Sequence, residues 1–327
     1  MKNSLARLTD RVLGLPGSRW FKEATMSRLG IRTIMGCAKT YNQWRYRQRY
    51  LQHQHAFASE WESLLCEHAG HPMAPPRNQI QDGWVIDTTR SLPGLEQLLE
   101  DAGNIVRERG GKKHSDVQQP YFRNLFFYDD IHHYPSLLNF ALSAEVLATV
   151  ANYLQTVPVL SKTRPPGIRF MESNQNLDPE PPRPFGESQL YHLDLHDMPL
   201  VYVIVLIEDV TFECGPWTFL PASASRRARK QLGYQKRGNP YRITDEEMYR
   251  VVERNEAIEF SYPKGTVLFI DSSRCFHFGS RNSVKPRYQL MYGYTSVSRC
   301  DFSQTFMPSF PYPLQPSDSR LRRMVLA

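Results

Sequence analysis

The run from Val201 to Val210 is nearly continuous in Val, Ile and Leu, and β-branched residues at that density favour extended chain. A strand that is apolar at every position, not at alternate ones, is covered on both faces. The longest apolar stretch, Pro199 to Ile207, is strand-length and far short of the roughly 18–20 residues that span a bilayer. The chain therefore has to build a sheet with packing on both sides. Its 327 residues, 41% hydrophobic and 12% aromatic, are ample for that core, as one large domain or two small ones.

Shorter strands and turns surround this run. Asp82 to Asp87 reads as a turn into a strand, and Gly167 to Met171, Trp217 to Leu220, Thr266 to Ile270 and Tyr288 to Val297 read as strands. Gly215-Pro216 and Pro263-Lys264-Gly265 supply turns. Helices are expected over Tyr41–Cys66, over Leu92–Arg109 up to Gly110-Gly111, and over Pro135–Gln155, whose apolar stripe is amphipathic. His71 to Pro76 is a proline-rich linker, and the loop Asn174–Gly186 is placed to wall an active site. Arg226 to Ala257 is charged, carries a helix start at Thr244 to Glu247, and reads as a partly helical insertion, a candidate lid. The pattern predicts an α+β chain: a β-sandwich or jelly roll with flanking helices. Residues 1–77 read as a basic, mainly helical N-terminal extension and linker, 78–300 as the main domain with the insertion at 226–257, and 301–327 as a tail.

Charge is unevenly spread. Residues 1–50 carry a net +9 against +7 for the whole chain, so the body is close to neutral. A basic arm suits an anionic partner such as a membrane surface, or else packs on the domain or a second subunit. No nucleic-acid motif accompanies it. No secretory signal is read in Met1 to Trp20, although its Arg-rich, acid-poor composition is weakly like a transit peptide. The five cysteines are widely spaced with no Cys-x-x-Cys. That argues against a disulfide framework or zinc ribbon and fits a reducing cytoplasm.

The chemistry concentrates in Tyr191-His192-Leu193-Asp194-Leu195-His196-Asp197. In extended chain, residues two apart share a face, which puts His192, Asp194 and His196 on one side and Tyr191, Leu193 and Leu195 on the other. An imidazole and a carboxylate so placed can share one metal. With a distant second histidine they make a two-His, one-carboxylate set suited to Fe(II). His277 lies 83 residues beyond Asp194, far enough to come from another strand. Arg287, ten residues further on, offers a fork that pairs with a carboxylate. The cluster Asp129, Asp130, His132 and His133 points apart and reads as a surface loop or helix start.

Over residues 78–300 the chain resembles the phytanoyl-CoA dioxygenase family of Fe(II)- and 2-oxoglutarate-dependent oxygenases. The resemblance rests on Asp82-Gly83-Trp84-Val85-Ile86, the helix at 135–155 and His192-x-Asp194-Leu195-His196-x-x-Pro199. It rests equally on Glu213 to Pro221 and on Lys264 to Phe269 followed by His277, Gly279, Asn282 and Arg287. It implies a double-stranded β-helix of the cupin kind, with His192, Asp194 and His277 as Fe(II) ligands and Arg287 holding 2-oxoglutarate. Arg169 and Gln189 are the candidates for the keto-acid end. Two positions depart from the family. Ala224 stands where a histidine is common, and Gly279 where a hydroxyl often helps to hold 2-oxoglutarate, leaving Ser280 or Tyr288 to substitute. Trp217 reads as core, and His196 as either a substrate neighbour or a structural residue.

The implied activity is O2-dependent hydroxylation of a small or conjugated metabolite, with release of succinate and CO2. Related halogenases lack the carboxylate, so Asp194 favours oxidation. Desaturation, epimerisation or cyclisation with the same cofactors is the nearest alternative. A non-catalytic module recruited to an anionic surface by the basic arm is a third reading. The partner expected is a small molecule, with an anionic or carrier-linked one permitted.

Overall fold

The computed structural model describes residues 30–111, 121–163, 166–174, 184–236 and 241–326. Helices α1 (Ile31–Arg45) and α2 (Arg47–Ala69) lead into β1 (Trp84–Asp87), α3 (Leu95–Arg109) and β2 (Phe122–Asn124). Helices α4 (Asp130–His133), α5 (Ser136–Ala141) and α6 (Ala144–Leu154) follow, then β3 (Val159–Leu160), β4 (Ile168–Ser173), β5 (Val201–Leu206) and β6 (Thr218–Phe219). After α7 (Ala222–Gln231) and α8 (Asp245–Met248) come β7 (Ile258–Glu259), β8 (Val267–Asp271), β9 (His277–Phe278) and β10 (Arg287–Thr295). Helices α9 (Ser303–Phe306) and α10 (Arg320–Leu326) close the chain.

The large antiparallel sheet has the order β1-β8-β5-β10-β4-β2, with β3 added on β10, and the small one runs β7-β6-β9. The apolar run that demanded two-sided cover is β5, buried throughout between β8 and β10. Its residues divide by parity. Val201, Val203 and Val205 join a core shared with the helices, including Leu98 of α3 and Val150 of α6. Tyr202, Ile204 and Leu206 enter a second core with Leu268 and Ile270 of β8, Trp217, and Phe219 of the small sheet. Two antiparallel sheets thus face each other across one core while helices cover the outer face of the large sheet, the α+β sandwich that the pattern predicts. In α3 the apolar face is Leu95, Leu98, Leu99, Ala102 and Ile105, all buried and spaced at helical intervals. Cutting Leu98 to Ala would cost about 2–5 kcal/mol.

Helix boundaries differ from expectation in two places. The stretch 135–155 is two helices, because Ser143 is extended (φ −60°, ψ 141°). The break lets α5 pack on α3 while α6 packs on α2, which one straight rod does not do. The pair covers Ser136–Leu154, the one stretch among the described residues long and apolar enough to cross a membrane, and it is mostly buried in the core. Similarly, Tyr46 (φ −111°, ψ 28°) divides the helix expected over 41–66 into α1 and α2.

Helices α2 and α10, far apart in sequence, both enter the helix-side core. Helix α2 supplies Ala56, Leu64 and Leu65, and α10 supplies Leu321, Val325 and Leu326. Arg320 of α10 pairs with Glu60 of α2. The basic residues Lys2 to Arg28, the stretch compared with a transit peptide, and most of the loop at 174–186 lie outside the described residues. The insertion holds α7 and α8, and α8 starts with the reciprocal cap read from its sequence: Glu247 N–H donates to Thr244 Oγ1 (3.2 Å) and Thr244 N–H to Glu247 Oε2 (2.9 Å). Its Tyr234, Ile243, Met248 and Val252 pack on Tyr191, Leu193, Phe276 and Phe278. Asp130 starts α4 and is held by Arg109 at 2.7 and 2.8 Å, so this acidic–histidine cluster is a helix start braced by an ion pair.

Candidate metal centre

Tyr191 and His192 are extended but carry only single bridges, Tyr191 to Ile243 and His192 to His277. The His192–His277 pair exchanges both backbone hydrogen bonds, at 3.1 and 3.0 Å. This pairing places the two imidazoles side by side, with ring centroids 4.3 Å apart. Asp194 is tied through its N–H to Ser272 O at 3.0 Å. The period of two holds across 192–194, where Tyr191 and Leu193 are buried on the apolar side, and it lapses beyond. Leu195 is only half-buried, against Ile31 and Met35.

Among the described residues, His192, Asp194 and His277 form the group able to hold a metal, with ligand atoms all within 4.8 Å of one another. His277 Nε2 is 3.6 Å from Asp194 Oδ2. His192 Nδ1 lies 2.8 Å from Leu190 O, and His277 Nδ1 lies 3.0 Å from Cys275 O. A carbonyl only accepts, so both Nδ1 atoms carry the proton and both Nε2 lone pairs are free to ligate. Burial pushes both imidazoles below their usual pKa, His192 well below, which keeps them in the neutral form that binds metal. For Asp194, burial acts upward but His277, His192 and His196 outweigh it and hold the carboxyl below its usual range. Two neutral imidazoles and one carboxylate fit a divalent metal of the Fe(II) kind.

Near this group lies a buried cation with no acidic partner among the described residues. Arg287 is 1% exposed. It donates from Nη1 to Gly215 O and from Nη2 to Ser280 Oγ at 2.9 Å, while its Nε has no partner among the described residues. Burial without a compensating carboxylate pushes its pKa down to about 9. Gly215 must be glycine to bring its carbonyl there: its φ is +58°, and a Cβ would meet Arg281 O at 2.6 Å. Gly279 has its own consequence. It lines the cavity of the metal group, and a Cβ built on it would sit 3.4 Å from Arg287 Nη2 and 3.1 Å from the Trp217 ring. Arg287 does not itself line the cavity; it lies just behind the wall at Gly279, where the missing side chain leaves the backbone as the only cover.

The other sequence-predicted residues divide. Arg169 lines the cavity, with its guanidinium over Tyr202 (4.8 Å) and Nε unpaired. Gln189 does not line it. Its amide donates to Ser280 O at 2.7 Å and so braces the Arg287 partner instead. Of the two hydroxyls considered, Ser280 meets Arg287, whereas Tyr288 belongs to the helix-side core and donates to Glu172 at 3.3 Å. His196 turns to Asp301 at 2.7 Å and is not among the ligating group. Trp217, read as core, also stacks on His277 (4.5 Å, 7°) and lines the cavity. Arg242 lines it too and had no signal in the sequence beyond its place in the insertion.

No family model and no curated protein matches the chain. Among solved structures, similarity extends to the non-heme alpha ketoglutarate dependent carbocyclase SnoK from nogalamycin biosynthesis, at 13% identity over 65% of this chain and 79% of that one, with a TM-score of 0.41. EctD from S. alaskensis with 2-oxoglutarate and 5-hydroxyectoine is 17% identical over 66% and 73% of the two chains, with a TM-score of 0.44. HygX from Streptomyces hygroscopicus with nickel and 2-oxoglutarate is 14% identical over 73% and 89%, with a TM-score of 0.38. Similarity at this level leaves the chemistry to be argued from the side chains of the site.

Proposed function

We propose that this chain is a non-haem Fe(II)- and 2-oxoglutarate-dependent oxygenase that oxidises a small or conjugated metabolite, most simply by hydroxylation. The observation that carries the reading is the His192–Asp194–His277 group in a cavity whose wall at Gly279 lies directly against Arg287, a buried arginine with no carboxylate partner among the described residues. A two-His, one-carboxylate group could also suit zinc; the unpaired Arg287 favours a carboxylate co-substrate beside the metal. When bound, Fe(II) would supply O2 activation coupled to oxidative decarboxylation of 2-oxoglutarate to succinate and CO2.

The chain's own residues have distinct tasks in this reading. His192, Asp194 and His277 would hold the metal on one side and leave the cavity side for other ligands. Leu190 O and Cys275 O fix the two ring tautomers. Arg287 would take the distal carboxylate of 2-oxoglutarate with Ser280 as its second anchor, and a buried charge-assisted pair of this kind is among the stronger hydrogen-bonded contacts. Arg169 would serve the keto-acid end. Trp217 closes the space over His277 and limits water.

Incubation with Fe(II), 2-oxoglutarate and O2 should release succinate slowly even without the prime substrate, and His192→Ala should release none. Equal succinate from both proteins would defeat the reading. Desaturation, epimerisation or cyclisation would use the same residues, and product mass separates desaturation from hydroxylation.

A further inference from the structure

We infer that the prime substrate carries an anionic group, a phosphate or carboxylate, and that Arg242 of the insertion is the residue that recognises it; this rests on the oxygenase reading above. Arg242 is held at both sides. Tyr241 O accepts from Tyr234 OH at 2.9 Å, and Ile243 exchanges both backbone hydrogen bonds with Tyr191 at 3.0 and 2.9 Å. Tyr191 directly precedes the first metal-group residue. Ile243 shares the apolar core with Tyr191, so Arg242, one residue away, projects to the opposite side, where it lines the cavity with His192, Asp194 and His277.

The guanidinium is poorly matched from within the protein. Among the described residues, Nε and Nη1 are buried without a hydrogen-bond partner. Nη2 has one long contact, 3.4 Å, to Glu187, whose side chain is 62% exposed. The Tyr241 ring lies under the plane, 4.5 Å from the guanidinium carbon, and fixes its orientation without neutralising it. A buried donor pair left open costs free energy, and a planar fork is suited to bidentate binding of carboxylate or phosphate.

Charge accounting points the same way. A divalent metal with Asp194 leaves one positive charge. The two carboxylates of 2-oxoglutarate are matched by Arg287 and Arg169. Arg242 adds a further positive charge, offset only in part by the largely exposed Glu187 at 3.4 Å, and an anionic substrate would balance the remaining excess where an uncharged or cationic one would not.

The test uses the full chain loaded with Ni(II) and 2-oxoglutarate, titrated with n-butyl phosphate, butanoate and 1-butanol, with binding followed by ligand-observed NMR. One or both anions should bind, 1-butanol should not, and Arg242→Gln should weaken anion binding by at least about tenfold. In the same variant the 2-oxoglutarate affinity should stay within about threefold, since its carboxylates are assigned to other arginines. The surface variant Arg226→Gln should change neither. Which anion binds tighter distinguishes phosphate from carboxylate substrates. Binding of 1-butanol as tight as that of the anions, or an unchanged anion affinity in Arg242→Gln, would overturn the inference. Failure of the wild-type chain to take up Ni(II) and 2-oxoglutarate would instead strike the oxygenase reading, and the Arg242 dependence of anion binding would still be read on the metal-free chain.

Discussion

Arg287 and Arg299 are equally buried, each 1% exposed, yet they are held in opposite ways. Arg299 reaches Ser161 Oγ at 2.8 Å and Thr163 Oγ1 at 2.9 Å, and pairs through Nε and Nη2 with both oxygens of Asp301 at 3.0 and 2.8 Å. Asp301 in turn holds His196. Arg287 has a carbonyl, a hydroxyl and an unpaired Nε. A buried charge that serves the fold is paired within the fold. One left open beside a metal group is arranged for something that arrives later. The same contrast separates His196, consumed by Asp301, from His192 and His277, whose Nε2 atoms are free.

The sharpest way to break this contrast is to remove each arginine. Arg299→Met should cost about 2–3 kcal/mol, because it breaks a buried ion pair while Asp301, partly exposed, keeps its contacts to His196 and Ser303, and thermal or denaturant unfolding reads it directly. Arg287→Met should leave stability unchanged or raise it, since an uncompensated buried charge is lost. Comparable destabilisation by both would erase the distinction. Next in size is co-substrate affinity: Arg287→Gln should weaken 2-oxoglutarate binding by about 10–100-fold, whereas any Arg299 variant that still folds should bind it normally.

Acid stability sharpens the other half. Burial acts upward on the Asp301 carboxyl, but His196 and Arg299 hold it down to about 2. A folded-state pKa depressed from 3.8 gives stability that is fully present above about pH 4 and is lost as pH falls toward 2, worth about 2 kcal/mol. Asp301→Asn should flatten that acid limb of the pH–stability curve. The smallest effect expected is at Ser280. Ser280→Ala removes one hydrogen bond to Arg287 and should weaken 2-oxoglutarate by about 2–10-fold, with little change in stability.

How far the sequence foretold this arrangement depends on the range of the cause. The placement of His192 and Asp194 was legible because a local period of two puts them together, and β5 because an unbroken apolar run allows no other cover. His277 and Arg287 were legible through the family resemblance. Of the two readings of His196, substrate neighbour or structural residue, its hydrogen bond to Asp301 fits the structural one. The break at Ser143 had no proline or glycine to announce it, and it follows from two packing partners that lie in different directions. Arg242 was missed, and the cavity face of Trp217, correctly read as core, went unseen, for one reason. Arg242 becomes part of the site only when Ile243 pairs with Tyr191, and Trp217 only when it stacks on His277, and both are long-range contacts. Gly279, a departure from the family pattern, acquires its meaning from the space it leaves in front of Arg287.

The most direct test of the central claim is an anaerobic titration with Fe(II) and 2-oxoglutarate, followed by visible absorption and by metal content after desalting. The wild-type chain should retain one iron and develop a weak charge-transfer band that needs both components, while Asp194→Ala should lose both. Absence of the band in the wild type, together with metal content that is indifferent to the loss of Asp194, would contradict the account.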